Sequence, residues 1–222
     1  MSIQAVARAA VSLLVLATAA CEETAPVVPP SSQAATTAKS LVTSSPLDST
    51  PAPLKLPQMR VGDHWEYSDG YKLSVSEVQP DGLARFQMED GSDSRMLRRA
   101  FFVDASFTGG VTRTVVFRTS NPMKIFEVPA GTPVGDVRET MRGTETLRAQ
   151  ESWVVEGHET ITVPAGTFDC WVVVGRIKSL QSTYQAYERW WYSPQVRNYV
   201  RLEFKSGDNT EGSRVLLSYK LN

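Results

Sequence analysis

Residues 152–204 constrain the fold most, because strand-like alternation, a tight turn and an unbroken apolar run follow one another there. Read at period two, one face of the first strand carries four large apolar side chains: Trp153, Val155, Ile161 and Val163. Pro164 and Gly166 predict a type I turn, because proline presets φ at the second position and glycine relieves crowding at the fourth. Residues 168–174 follow and are apolar on both faces around their centre. This pattern is typical of a central strand that is covered on both sides.

The other residues of 56–222 continue the alternating pattern between short polar turns. A first strand is predicted at residues 64–67, and a hairpin joins strands at 71–75 and 84–88. Further strands are predicted at 111–117, 183–192, 200–204 and 215–221. The predicted fold class is therefore all-β: an antiparallel β-sandwich, barrel or strongly curved sheet of about ten strands, with at most one short helix.

Three segments fit this pattern less clearly. Apolar residues at helical spacing favour a short helix within 92–103. Residues 137–148 alternate over a long stretch, which predicts one rather polar strand at an edge or facing water. Residues 123–126 are interpreted as a further short strand.

The N-terminal residues have the layout of a secretion signal. Arg8 supplies a charged start, residues 9–17 are apolar, and small residues precede Cys21, which predicts a signal peptide over residues 1–20. The sequence LATAAC resembles the lipobox of bacterial lipoproteins, which are cleaved before the cysteine and carry a lipid on its thiol. The alternative is an ordinary signal peptide cleaved after an A-x-A-like site such as residues 17–19, with Cys21 incidental.

Residues 22–55 are rich in Pro, Ser, Thr and Ala, which predicts a disordered tether. The expected organisation is a signal peptide at 1–20, a lipidated cysteine and tether at 21–55, and a single β-domain at 56–222. The anchor makes a membrane the first expected partner. Glu22, rather than aspartate, follows the cysteine, and the lipoprotein resemblance then implies the outer membrane, facing the periplasm.

Two segments carry a resemblance to a known family. VPAGTFDC at residues 163–170 and ERWWYSPQVRNYVRLEF at residues 188–204 resemble a bacterial exported domain of unknown function, whose members pair a VPAGTF turn with a later WYSP segment. The resemblance covers roughly the last third of the chain and implies an envelope β-domain with no assigned chemistry. This sequence departs from the family where Arg197 and Asn198 stand in place of an expected glycine.

Composition and motifs exclude several function classes. The chain has 23 Lys and Arg against 24 Asp and Glu, so it lacks the cationic excess that nucleic-acid binding requires. His64 and His158 lack the spacing of a zinc motif and are interpreted as surface or capping residues. Cys170 lies in an apolar strand and is interpreted as a core thiol, not a nucleophile. We therefore expect no catalytic residue, no metal and no cofactor.

An aromatic cluster is the remaining candidate site, and it consists of Tyr184, Tyr187, Trp190, Trp191 and Tyr192. Either this strand is buried on both sides, or one aromatic row lines a cavity or patch that holds a lipid, a glycan or an envelope protein. The function expected is that of a non-enzymatic cell-envelope lipoprotein whose β-domain binds an apolar or glycan ligand or a protein partner. The alternatives are a structural or assembly subunit of an envelope complex and a small carboxylate-dependent hydrolase.

Overall fold

A computed structural model describes residues 54–90, 92–208 and 210–222, and these form a closed antiparallel β-barrel. Its twelve strands follow one another around the barrel in chain order, and the first pairs with the last to close it. The all-β prediction is confirmed, with more strands than the ten or so expected. The predicted signal peptide, Cys21 and most of the tether lie outside the described residues.

The first half of the barrel consists of six strands: β1 His64–Tyr67, β2 Lys72–Val78, β3 Ala84–Met88, β4 Arg95–Arg99, β5 Phe102–Thr108 and β6 Val111–Phe117. A 3₁₀-helix, Pro122–Phe126, then leads to the second half. That half consists of β7 Val134–Arg142, β8 Glu145–Val163, β9 Gly166–Ser179, β10 Gln185–Ser193, β11 Asn198–Ser206 and β12 Thr210–Lys220. The predicted hairpin β2–β3 and the turn between β8 and β9 are confirmed.

The predicted helix within residues 92–103 is wrong, because this segment forms β4 and β5. Arg98 obscures the strand pattern, since its side chain is buried and its guanidinium lies 4.1 Å from the centre of the Phe86 ring. Arg98 also donates a hydrogen bond of 3.0 Å to the Asn198 side chain. A buried arginine of this kind makes an inward-facing position read as polar.

Two further predictions need correction. Residues 137–148 are not one strand, because the chain reverses between β7 and β8 at Gly143, whose φ is +60°. Residues 123–126 belong to the 3₁₀-helix, because Pro122 begins it and the Asn121 side chain accepts a hydrogen bond from the Met123 backbone N–H. The long strand β8 follows this turn and pairs with β7 on one side and β9 on the other.

Strand β9 is covered on both sides, as its sequence predicts. Val172, Val173 and Val174 are consecutive, so they alternate between the faces of the sheet, and all three are buried. Val173 pairs with Trp190 of β10 and Val172 pairs with Trp191. The pairing gives each face of β9 an indole neighbour.

Candidate functional site in the barrel interior

An aromatic cluster organises the interior around Phe101, which lies in the two-residue turn between β4 and β5. Ala100 in the same turn has a φ of +51°, a conformation that residues other than glycine seldom adopt. Phe101 is only 4% exposed. Its ring lies between 4.6 and 6.4 Å, centre to centre, from those of Phe102, Phe126, Trp153, Trp190 and Tyr192. The turn thus brings together side chains from three strands and the 3₁₀-helix.

A cavity of about 180 Å³ lies beside this cluster. Phe101, Phe102, Phe117, Trp153 and Phe204 supply aromatic walls, and Tyr184 also borders the cavity. Four charged residues line it: Arg138 of β7, Glu151 of β8, Glu188 of β10 and Lys205 of β11. The volume far exceeds the roughly 10–15 Å³ that one water needs, and is below the roughly 300 Å³ at which pockets for drug-sized ligands begin. The cavity therefore suits a small molecule or one group of a larger one.

The same hydrogen-bond arrangement holds both carboxylates. Trp153 Nε1 donates a hydrogen bond of 2.6 Å to Glu151 Oε1, and Trp190 Nε1 donates one of 3.0 Å to Glu188 Oε2. In each case the tryptophan follows the glutamate by two residues, so strand alternation puts both side chains on one face. The indole N–H groups thus orient both acids within the interior.

Trp153 also depends on the absence of a side chain across the sheet. It pairs with Gly175 of β9, where an added Cβ would lie 2.6 Å from the indole ring. Any larger residue at this position would displace the ring, and with it the hydrogen bond to Glu151. Gly175 is therefore part of the support for the cavity wall.

Glu151 is the most buried polar group of the cavity, with 2% exposure. Among the described residues, nothing hydrogen-bonds to its Oε2 atom, and Arg138 Nη1 lies 3.4 Å from it. Burial raises the pKa of Glu151, while Arg138 and the Trp153 indole oppose that shift. A buried acceptor without a hydrogen bond is costly unless a water or a ligand satisfies it.

Glu188 has no ion-pair partner within the parts of the chain that the structure describes. Burial raises the pKa of its carboxyl group. The hydrogen bond from Trp190 and the more distant Arg138 and Arg214 oppose this shift, whereas Glu151 adds to it. The cavity therefore holds two acids that are more readily protonated than an exposed glutamate.

The sequence-predicted aromatic cluster divides between three environments. Trp190 and Tyr192 are buried against Phe101, and Tyr184 borders the cavity while remaining 44% exposed. The Tyr184 hydroxyl lies 2.7 Å from Ser206 Oγ. Tyr184, Trp190 and Tyr192, which form one row of the predicted cluster, thus connect it with the cavity.

The other row faces the opposite side of the sheet. Trp191 lies between the guanidinium groups of Arg189 and Arg201, at 5.1 and 4.8 Å from its ring, and donates a hydrogen bond of 2.8 Å to Glu159. Tyr187 has Arg176 at 5.6 Å from its ring centre. A ligand-binding role for the five aromatic residues stays a prediction.

Sequence reasoning missed Arg138, Glu151 and Glu188. A usable signal was present, because Glu-x-Trp occurs at residues 151–153 and 188–190. At both places period two puts an acid on the same face as a large apolar ring. The interpretation of residues 137–148 as a water-facing strand hid Arg138, which belongs to the inner face of β7.

The histidines and the cysteine lie apart from the cavity lining. His64 Nδ1 is 3.2 Å from Glu89 Oε1 near the surface, and His158 packs edge-on against Trp171. Cys170 is buried, and burial raises the pKa of its thiol to about 12, which leaves it protonated and inert. Within residues 54–90, 92–208 and 210–222, no three potential ligands converge as a metal site would require. No helix in the described part of the chain has the length and apolarity to cross a membrane.

Comparison with known proteins identifies a related family and a shared fold. Residues 137–216 match the DUF3108-like family, and this segment runs from β7 to β12. No curated protein matches the chain. The structure of the hypothetical lipoprotein YmcC of Escherichia coli K12 superposes with a TM-score of 0.50 at 9% identity, covering 70% of this chain and 82% of that one.

Two other structures have lower scores. One, from Bacteroides fragilis, is provisionally called an exported protein with a YmcC-like fold; it has a TM-score of 0.43 at 15% identity and covers 74% of this chain and 98% of its own. The other, from Parabacteroides distasonis, is provisionally called a lipoprotein; it has a TM-score of 0.38 at 19% identity and covers 77% and 100%. The chain is thus similar to the DUF3108-like family over residues 137–216, and the fold of the described part resembles that of YmcC.

Proposed function

We propose that this protein is a non-enzymatic, lipid-anchored protein of the bacterial cell envelope, whose barrel binds a small ligand in the interior cavity. The observation that carries the binding proposal is Glu151 Oε2, a buried acceptor that has no hydrogen bond among the described residues and borders an aromatic-walled space. Aromatic walls with a few oriented polar groups are the usual composition of a small-molecule site.

The cavity fits binding better than a purely structural role. A barrel that served only as a scaffold would be more stable with apolar side chains at Glu151 and Glu188, because buried charges cost several kcal/mol each to desolvate. Instead, tryptophan N–H groups hold both acids in fixed orientations. Such preorganised polar groups lower the cost of ordering the site around a ligand.

The anchor part of the proposal depends on the sequence. LATAAC places Cys21 where a lipid would be attached, and residues 22–55 would tether the barrel to the membrane. The hypothetical lipoprotein name of YmcC agrees with this assignment. We place the protein at the outer membrane, facing the periplasm, because Glu22 follows the cysteine.

Thermal unfolding of the full-length chain with a panel of small molecules tests the binding function. The panel contains sugars, amino acids, fatty acids and organic amines. A compound that binds only the folded state at free concentration L stabilises it by RT ln(1 + L/Kd) and so raises the Tm. Ala186 borders the cavity, so Ala186→Leu would fill part of it. We expect at least one compound class to raise the Tm of the wild type and to lose this effect in Ala186→Leu. If none does so, the binding function is wrong.

A second candidate is a carboxylate-dependent hydrolase, which the paired acids of the cavity favour. Glycoside hydrolases use two carboxyl groups, one of them with a raised pKa as the proton donor. In this barrel, however, Glu151 is 2% exposed and its Oε1 is occupied by Trp153. Chromogenic glycosides distinguish the candidates: turnover that disappears in Glu188→Gln would support the hydrolase over the binding protein.

A further inference from the structure

We propose that the cavity recognises a small organic cation, with its ammonium group placed between the Glu188 carboxylate and the aromatic walls. This inference rests on the proposed binding function and specifies its ligand class. It follows from the charges, the aromatic rings and the unused hydrogen-bond acceptors of the cavity.

The charged side chains on the inner face of the cavity lining are two acids, Glu151 and Glu188, and one cation, Arg138. Arg138 is the one cation that approaches a cavity carboxylate to within an ion-pair distance among the described residues, and its partner is Glu151. Arg214 is paired with Asp69 at 2.9 Å. Glu188 is left with only the Trp190 N–H as a hydrogen-bond donor in the described chain. An added cation at Glu188 would complete the charge balance.

Lys205 does not supply that cation. Lys205 lines the same cavity, but it follows Phe204 in β11 and pairs with Tyr187 of β10, on the face opposite to Phe204 and Glu188. Lys205 is exposed, in agreement with this alternation. The interior position next to Glu188 is therefore open to a cation from outside the chain.

Aromatic walls suit an ammonium group better than they suit an anion. Cations are attracted to the faces of Trp, Tyr and Phe rings, and quaternary ammonium ligands are typically held in aromatic cages. The barrel already uses this contact internally, with Arg98 at 4.1 Å from the Phe86 ring centre and Arg214 at 4.1 Å from that of Tyr71. An anionic ligand would instead meet two carboxyl groups.

Binding of a cation at this site should depend on pH, because it is linked to the protonation of Glu188. Burial raises the pKa of Glu188, so in the ligand-free protein its carboxyl group keeps a proton to a higher pH than an exposed glutamate would. A bound cation favours the ionised carboxylate and expels that proton. Affinity should therefore increase as the pH rises through the Glu188 pKa. Arg138, Glu151 and Arg214 are the other charged groups that act on Glu188, and the arginines stay charged throughout this range.

Calorimetric titration of the full-length protein with choline, and with its uncharged isostere 3,3-dimethylbutan-1-ol, tests the inference. The two probes have the same shape and differ in charge. We expect choline to bind at least about ten-fold more tightly than the alcohol, a difference of about 1.4 kcal/mol. Choline affinity should also increase from acid to neutral pH, as the Glu188 carboxyl group loses its proton.

Glu188→Gln removes the charge and keeps the shape and an acceptor for the Trp190 N–H. We expect it to weaken choline binding at least about ten-fold and to leave the alcohol unaffected. Glu145→Gln, an exposed change at the start of β8, is the matched control and should bind choline as the wild type does. Equal affinity for choline and the alcohol in the wild type would overturn the inference without any variant.

Failure of the inference is separable from failure of the proposed function. If choline does not bind, but another compound class stabilises the wild type and not Ala186→Leu, the cavity is a binding site for a different ligand and the cation inference is wrong. If no compound class stabilises the wild type, both are wrong.

Discussion

Arg197 Nη1 lies 2.8 and 2.9 Å from the two carboxylate oxygens of Asp63, although the residues are 134 positions apart. Arg197 has a φ of +56°, which is a left-handed backbone conformation. Arg197 and Asn198 stand where the family that this sequence resembles carries a glycine, a residue that adopts this conformation readily. Asp63 is fully buried and also accepts hydrogen bonds from the backbone N–H groups of Arg60 and Asn222. Through Asp63, the β10–β11 turn is thereby connected to the segment just before β1 and to the C-terminal residue Asn222.

Arg197→Gly should lower the stability of the fold, even though glycine suits the backbone. Relief of the left-handed conformation gains about 1–2 kcal/mol, whereas removing one partner of a buried ion pair costs about 3–5 kcal/mol. We expect a net loss of about 2 kcal/mol in urea-induced unfolding. Ala100→Gly is the matched control, because Ala100 also has a positive φ but a methyl side chain. It should change stability by less than about 1 kcal/mol. Equal effects of the two changes would show that the Asp63 contact is unimportant.

Phe101→Ala should be among the most destabilising single changes in the barrel. The ring contacts five other aromatic side chains and is almost fully buried, and such truncations cost about 3–5 kcal/mol. Phe107→Ala, at a half-buried position that faces Arg95, should cost about 1–2 kcal/mol. Chemical unfolding of both variants measures the difference. A smaller loss for Phe101 than for Phe107 would contradict the central role of this aromatic cluster.

Glu151 should make the fold less stable as the pH rises. Its pKa is raised in the folded state by burial, so the folded protein retains a proton that the unfolded chain releases. The penalty is absent below the ordinary pKa of glutamate and develops as the pH rises through the raised value. We therefore expect Glu151→Gln to match the wild type in acid and to have a higher Tm near neutral pH.

Glu139, on the neighbouring strand β7, should instead make the fold more stable as the pH rises. Hydrogen bonds from Arg118 and then Arg148 hold the pKa of its carboxyl below the usual value. Its contribution is present above the ordinary pKa and is lost as the pH falls through the lowered one. Glu139→Gln should therefore have a lower Tm than the wild type near neutral pH. Tm measured from acid to neutral pH tests both variants, and shifts of the same sign would contradict the account.

Cys21→Ser should transfer the protein from the membrane fraction to the soluble fraction. A serine offers no thiol for the lipid. Fractionation of cells followed by immunodetection measures the distribution. Persistence of the variant in the membrane fraction would show that the anchor assignment is wrong.

Local patterns predicted the parts of the fold that depend on neighbouring residues. The β2–β3 hairpin and the turn at residues 163–166 follow from alternation and from turn residues that set their own backbone. The β4–β5 hairpin was missed because its turn places Ala100 at a positive φ. Alanine is not a residue that predicts this backbone conformation. Closure of the barrel through Trp65 and Tyr219 pairs strands from opposite ends of the domain, and a local pattern carries no information on such a contact.

The cavity was missed for a related reason. Glutamate and arginine are mostly exposed, so Glu151, Glu188 and Arg138 read as water-facing positions. Only the closed barrel, which gives the strands an enclosed face, places these side chains together. The aromatic cluster did point to this region, because Tyr184 borders the cavity and Trp190 holds Glu188.

Mass spectrometry of the small molecules released from the purified protein tests the cavity as a binding site most directly. The Cys21→Ser chain allows purification without detergent, and the same chain with Ala186→Leu is the control in which the cavity is partly filled. We predict that a small molecule is released in about equimolar amount from the first protein and is missing from the second. Equal recovery from the two proteins, including none from either, would contradict the account.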